Sequence, residues 1–215
     1  MRRRRFLKYG IVSAIFLMLG TVSAYFLSRM RRLPPKQVEV PTLEVRQMGS
    51  VPEITVDDWV LEVDGEVECP LHLGWFELLK LPKTVGLADL HCVDGWTRLD
   101  NAWEGVRFEE IMNLAKPTIK AKYVTIECYG EVHYTTQLGI KDLVSRGVLL
   151  AYVLDGRQLQ SGHGAPVRLV VPDKYGYKSA KCVKRIKFTE IKELGFYESR
   201  GYSYTADPWT NDRLA

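Results

Sequence analysis

Whole classes of pattern are missing from this 215-residue chain. Its four cysteines, Cys69, Cys92, Cys128 and Cys182, form no C-x-x-C pair and follow no zinc spacing. In an exported protein an even count permits disulfides, but nothing here selects a pairing. There is no G-x-x-x-x-G-K-[ST] run, so the chain carries no nucleoside-triphosphate P-loop. Internal repeats and low-complexity tracts are absent too. Acidic residues are missing from residues 1–35, which hold eight of the 30 Lys and Arg; the remainder carries 22 basic against 26 acidic residues, a formal charge of −4. A mildly acidic body is not the basic face that nucleic acid requires.

What is present is ordinary for a globular protein: 46% hydrophobic and 26% charged residues, with length for one core domain and a short appendage. The appendage is the N-terminus. Met1-Arg2-Arg3-Arg4-Arg5-Phe6-Leu7-Lys8 precedes an uncharged, mostly apolar run from Tyr9 to Leu27, closed by Ser28-Arg29-Met30-Arg31-Arg32. As a helix that run spans roughly 28 Å, enough to cross a bilayer. The denser basic residues before it predict a cytoplasmic N-terminus and a domain outside. Arg3-Arg4-Arg5-Phe6-Leu7-Lys8 resembles a twin-arginine export signal. Val22-Ser23-Ala24 offers a cleavage site, but the apolar run continues past it, which favours an uncleaved anchor over residues 1–32.

Leu33-Pro34-Pro35 opens a predicted linker over 33–55, with strand-like alternation in Gln37–Val40 and Thr42–Val45. The domain is expected over 56–215. Trp59–Val63, Asp64-Gly65 and Glu66–Glu68 read as a hairpin, and Gly74–Leu81 as a short helix stopped by Pro82. Val85–Leu90 reads as a strand, Phe108–Ala115 as a helix, and Tyr123–Cys128 as a strand partnered by Val132–Gln137. Ile140–Ser145 is helical; Val148–Leu154 and Arg157–Leu159 make a hairpin on Asp155-Gly156; Val167–Val171 and Cys182–Thr189 are strands. Short helices among many strands predict an α+β fold with a mostly β core, preceded by the single membrane helix.

Two stretches carry chemistry. Leu90-His91-Cys92-Val93-Asp94-Gly95-Trp96 presents a cysteine at the end of a strand, on a tight turn. Such a thiol can hold a soft metal or attack a substrate, and a half-buried structural thiol is the competing reading. The second runs from Ser161-Gly162-His163-Gly164-Ala165-Pro166-Val167-Arg168 through Leu169-Val170-Val171-Pro172 to Asp173-Lys174-Tyr175-Gly176-Tyr177-Lys178-Ser179-Ala180-Lys181. Backbone N–H groups and ammonium groups there can converge on an anion, although a solvated lysine turn would look the same in isolation.

Together, Cys-Val-Asp-Gly-Trp, Gly-x-Pro-Val-Arg-Leu-Val-Val-Pro and Lys-Tyr-Gly-Tyr-Lys-x-x-Lys resemble the sulfite oxidase family of molybdopterin enzymes, which includes the bacterial periplasmic methionine-sulfoxide reductases. The likeness covers about residues 56–210, in the family's order, and includes a closing Gly195-Phe196-Tyr197-Glu198-Ser199-Arg200-Gly201-Tyr202 and Asp207-Pro208-Trp209. It implies an oxidoreductase with a molybdenum–molybdopterin cofactor. Cys92 matches the molybdenum thiolate, a soft ligand for that metal. His163 and Arg168 match pterin-holding positions, and Ser179, Ala180 and Lys181 the phosphate loop; Cys128 falls near another cofactor contact. Tyr202 resembles the active-site tyrosine, with a packed core tyrosine as its alternative. Arg98 lies near the anion-binding arginine at a different spacing, with a surface ion pair as its alternative.

The departures matter as well. Unlike those of animal sulfite oxidase, these residues are expected to hold no haem-binding domain before the core and no dimerisation domain after it, and residues 36–55 show no clear match to the reductase's Asn- and Tyr-rich cofactor loop. His163 stands where that reductase has asparagine. The resemblance implies two-electron oxygen-atom transfer at sulfur, on a small-molecule or methionine-sulfoxide substrate. No haem or iron–sulfur ligand set appears in the sequence, so a membrane cytochrome or a soluble carrier is the expected electron partner. Twin-arginine export suits a protein that must cross the cell membrane folded around its cofactor. The competing reading is a cofactor-free extracytoplasmic binding module that kept the fold.

Overall fold

The structure, a computed structural model, describes residues 33–215. The predicted anchor and export signal, residues 1–32, lie outside the described residues. Among the described residues no helix is long and apolar enough to cross a membrane.

Two sheets organise the chain. The first has the order β1 (Val38–Glu39), β5 (Trp96–Arg107), β8 (Leu149–Leu154), β10 (Arg168–Val170), with β4 (Lys83–His91) also pairing β5 and β9 (Arg157–Gln158) pairing β8. The second has the order β3 (Leu71–Gly74), β2 (Val60–Gly65), β11 (Val183–Thr189), β6 (Tyr123–Cys128), β7 (Thr135–Gly139). Helices α1 (Trp75–Leu79), α2 (Phe108–Ala115) and α3 (Ile140–Leu143) are short. The α+β, mostly β architecture expected from the sequence is the one observed.

Burial explains which segments became strands. Leu149, Leu150, Ala151 and Tyr152 of β8 are all buried. Leu150 and Tyr152 join the large core around Trp59, Phe108 and Phe188, while Leu149 and Ala151 join a second cluster with Trp96 and Trp103. A strand covered on both faces needs a continuous apolar run, which is what this segment has. In β2, by contrast, Leu61 and Val63 are buried while Val60 is exposed and Glu62 and Asp64 are half-buried, the alternation of a strand with one wet face.

Three expectations need correction. Asp64-Gly65 does not turn a hairpin into Glu66–Glu68; β2 instead pairs antiparallel with β3, at the start of the predicted helix. Residues 68 and 69 bond to the C-terminal end of α2, through Glu68 N to Lys116 O and Cys69 N to Ala115 O, both 3.0 Å. The partner of β6 begins at Thr135 rather than Val132, because residues 130–134 make the loop at the strand's end. The long strand β5 was not anticipated. Its inward positions include Thr97, Asn101 and Gly105, which hide the two-residue period from a hydrophobicity reading.

The predicted linker is also part of the architecture. Residues Pro35–Ala215 form one compact unit, and β1 pairs parallel with β5 at Val38–Trp96 and Glu39–Thr97.

Candidate active site

The β4–β5 turn projects Cys92 into a cleft. Gly95 turns the chain with φ +102°, and a Cβ there would stand 3.3 Å from Lys36 O, so glycine is required both for the turn and for the close approach. Opposite lie the end of β6 with the 130–134 loop, the loops at 163–168 and 176–182, and the tail residues Tyr197 and Tyr202. The segment from Leu43 to Pro52 forms a further wall. The space enclosed is about 1140 Å³, the open mouth included.

Eight of the nine side chains predicted from sequence line this cleft: Cys92, Cys128, His163, Arg168, Ser179, Ala180, Lys181 and Tyr202. Arg98 is the one that does not. Its guanidinium bonds Asp155 at 2.5 Å and Asn101 at 2.7 Å, the ion-pair alternative for this residue.

The inner wall is cationic. Arg168 is 2% exposed and donates to His163 O at 3.0 Å and Ser179 O at 2.9 Å, with its guanidinium 5.2 Å from the Trp103 ring. Burial lowers its pKa to about 10. Lys181 donates to Gly162 O at 2.6 Å and Arg46 O at 2.7 Å; burial, then the neighbouring Arg168 charge, lower its pKa to about 8. Gly164 lets the chain pass close to Lys181, since a Cβ there would meet the lysine at 2.9 Å. Among the described residues no carboxylate forms a salt bridge with either cation. Burial, and then the Lys181 and Arg168 charges, push the His163 pKa down.

Burial likewise raises the Cys92 thiol to about 11, with the Asp94 charge adding to the rise and Arg46 opposing it. An adjacent metal cation would reverse that balance and favour the thiolate. All four cysteines are free, and among the described residues no group of three His, Cys, Asp or Glu gathers as a metal site. A metal at Cys92 would therefore have to arrive with other donors of its own. Tyr202 lies 4.9 Å from Tyr197 between ring centroids and 5.6 Å from Tyr177.

Sequence reasoning missed the 43–52 wall, the 130–132 loop and the position of Tyr197. Only Tyr197 had a signal, as part of the quoted tail. The 43–52 segment carries no motif, and its place follows from Lys181 holding Arg46 O and Ser50 Oγ bonding Glu131.

Comparison with known proteins explains this arrangement. The model of the oxidoreductase molybdopterin binding domain matches residues 48–197. The chain belongs to that family. It is an oxidoreductase of the sulfite oxidase and methionine-sulfoxide reductase group that its motifs resemble. The chain is 38% identical over 184 residues to the uncharacterised oxidoreductase YuiH of Bacillus subtilis, covering 85% of this chain and 92% of that protein. It is 35% identical over 166 residues to the catalytic subunit of the protein-methionine-sulfoxide reductase MsrP of Xanthomonas axonopodis pv. citri, covering 70% of this chain and 51% of that one. The MsrP of Campylobacter jejuni is 28% identical, with 75% and 59% covered. This chain thus spans about half the length of the MsrP relatives. The sulfane dehydrogenase SoxCD of Paracoccus pantotrophus shares the fold, with a TM-score of 0.65 at 22% identity over 73% of this chain and 43% of that one.

The cleft fits a molybdopterin. A buried Arg168 and a half-buried Lys181 without carboxylates are costly, and an anionic phosphate between them would compensate both. His163 Nδ1 and Trp96 Nε1 are buried without hydrogen-bond partners, and both residues line the cleft, where a pterin ring could engage them.

Proposed function

We propose that this protein is a membrane-anchored, extracytoplasmic molybdenum enzyme that reduces sulfoxides, with two electrons and two protons entering and a thioether and water leaving. Cys92 supplies the metal thiolate. Arg168, Lys181 and Ser179 hold the phosphate end of the cofactor, and His163 the pterin. The bound cofactor supplies the two-electron exchange and the site of oxygen transfer. The chain's part is to place the substrate oxygen and deliver protons near Cys92, through the phenols of Tyr202 and Tyr197. Burial, and then the neighbouring Tyr202, raise the Tyr197 pKa, so this phenol remains a donor at neutral pH.

The observation that carries the choice of substrate is the charge around the mouth. Glu44, Asp94 and Glu131 line it, and Arg46 bridges Glu44 at 3.0 Å and Asp94 at 3.3 Å. Arg98, which an oxyanion substrate would use, is held by Asp155 outside the lining. A sulfite dianion would meet carboxylates there, whereas a neutral S=O group would meet phenol donors. Half-exposed charges partly balanced by Arg46 are worth about 1 kcal/mol, so the preference in kcat/KM should be about fivefold to 10-fold. The test is to assay holoenzyme with methionine sulfoxide and a reduced viologen, against sulfite and ferricyanide. Faster sulfite oxidation would overturn the substrate assignment.

The location rests on residues 1–32. A basic cluster, a 19-residue uncharged run and Arg3-Arg4 before Phe6-Leu7-Lys8 support folded export and retention. Electrons would then come from a membrane cytochrome or a soluble carrier. Replacing Arg2, Arg3, Arg4 and Arg5 with lysine keeps the charge but removes the guanidinium fork, and should leave holoenzyme in the cytoplasm. Full digestion of that variant by protease added to spheroplasts would contradict this route.

A further inference from the structure

We infer that Arg213 and Gln37, from opposite ends of the described chain, are positioning residues that fix the turn carrying Cys92. This rests on the reading of Cys92 as the metal ligand. The turn contributes little rigidity of its own beyond Cys92 N to Trp96 O at 2.8 Å and Gly95 N to Cys92 O at 3.1 Å. Its remaining carbonyl capacity is taken up by distant groups. Gln37 Nε2 donates to Cys92 O at 3.0 Å, Arg213 Nη1 to Val93 O at 2.8 Å, and Val38 N to Gly95 O at 3.0 Å.

The two residues are themselves oriented. Gln37 is 8% exposed, and its Oε1 accepts from Thr97 Oγ1, which is paired in turn with the buried His91 Nδ1 at 2.8 Å. Arg213 Nη2 donates to Lys36 O at 3.2 Å, and its Nε to Asn211 Oδ1 at 2.9 Å, while the guanidinium lies 5.8 Å from the Tyr175 ring. One guanidinium thus joins the N-terminal segment, the Cys92 turn and the C-terminal tail. Arg213 is outside the cleft lining. Partners that orient a metal ligand commonly matter 10–100-fold to affinity or activity, so about that loss of kcat is expected with little change in KM.

The variants are Arg213→Gln, Arg213→Lys and Gln37→Leu, with Ser199→Ala as a control that loosens the tail by removing its bond to Phe196 O, away from Arg213 and the turn. In full-length protein from a host that makes no cofactor, the rate at which iodoacetamide alkylates Cys92 is read by mass spectrometry. Arg213→Gln and Gln37→Leu should each raise it about 10-fold, as loosening the turn exposes the half-buried thiol. Arg213→Lys should recover part of the effect, because one ammonium cannot reproduce the two-pronged contact. In holoenzyme the same two variants should shift the thiolate-to-metal absorption band. Alkylation within twofold of wild type in both variants, or an equal rise in Ser199→Ala, would overturn the inference. Absence of molybdenum from the wild type would instead sink the functional reading, while the alkylation series still decides the role of the turn.

Discussion

Lys178 and Lys181 stand three residues apart on one loop and meet opposite surroundings. Lys178 is 1% exposed and forms an ion pair with Glu198, whose Oε1 also accepts from Thr136 Oγ1 at 2.7 Å; the lysine donates further to Gln137 O at 2.9 Å. Burial pulls its pKa down and Glu198 pulls it back. Lys181, with Arg168 behind it, finds only carbonyl oxygens. The two regions separate a cation that ties the loop to the C-terminal tail from cations left for something the chain does not supply. A charge neutralised by its own protein is structural; a buried Arg168 beside a half-buried Lys181, neither in a salt bridge with a carboxylate among the described residues, marks a ligand.

The largest effect should come from Arg168→Met. It removes the buried cation of the ligand end, so bound cofactor and turnover should fall to background while the cofactor-free protein stays folded. Pterin release on denaturation and circular dichroism measure the two. If the variant retained full cofactor, or unfolded as readily as a Lys178 pair mutant, the distinction between the two regions would collapse.

Glu198→Gln should act on the other side of the comparison. Leaving Lys178 buried without its carboxylate should cost about 3–5 kcal/mol, near 10 °C in melting temperature for a domain of this size. Thermal melts of the cofactor-free protein would show it, and an unchanged midpoint would mean that the pair contributes nothing.

Lys181→Met should lower cofactor retention about 10-fold, consistent with one charge-assisted contact. It should also change the pH response. The folded pKa of about 8 lies below the ordinary lysine value, so the unfolded chain binds the extra proton between the two. Stability of the cofactor-free protein should therefore rise as pH increases through 8, and Lys181→Met should flatten that rise. A slope of the same size in the variant would show that Lys181 does not produce it.

Smallest is Arg98→Ala. A partly exposed pair with Asp155 should be worth no more than about 1 kcal/mol, with turnover within about twofold of wild type. A large loss of turnover would return Arg98 to the substrate site.

Much of this was legible in the sequence because the cleft is built from contiguous stretches. Cys92-Val93-Asp94-Gly95-Trp96 and the 161–181 block each form one wall, and short-range chemistry marks both. Strands with plain apolar alternation or continuous apolar runs, such as β6 and β8, were legible for the same reason. What escaped depends on long-range pairing. Val38–Glu39 joins β5 in parallel although nothing local distinguishes it from a linker, and Leu43–Pro52 forms a wall only because distant Lys181 and Glu131 hold it. Gln37 and Arg213 act at the Cys92 turn across 55 and 120 residues of chain. In β5, polar and small inward residues hid the period. Arg98 stands outside the cleft lining because Asp155, 57 residues on, pairs with it, a long-range contact that no local pattern marks.

The central claim is that Cys92 and the carboxylate-free cations of the inner wall serve a molybdenum cofactor. Metal and pterin analysis of the full chain, purified from a host that makes the cofactor, tests it most directly. The account predicts about one molybdenum and one pterin per chain, with the metal's sulfur ligation altered in folded Cys92→Ser. Folded wild-type protein carrying neither molybdenum nor pterin would contradict it.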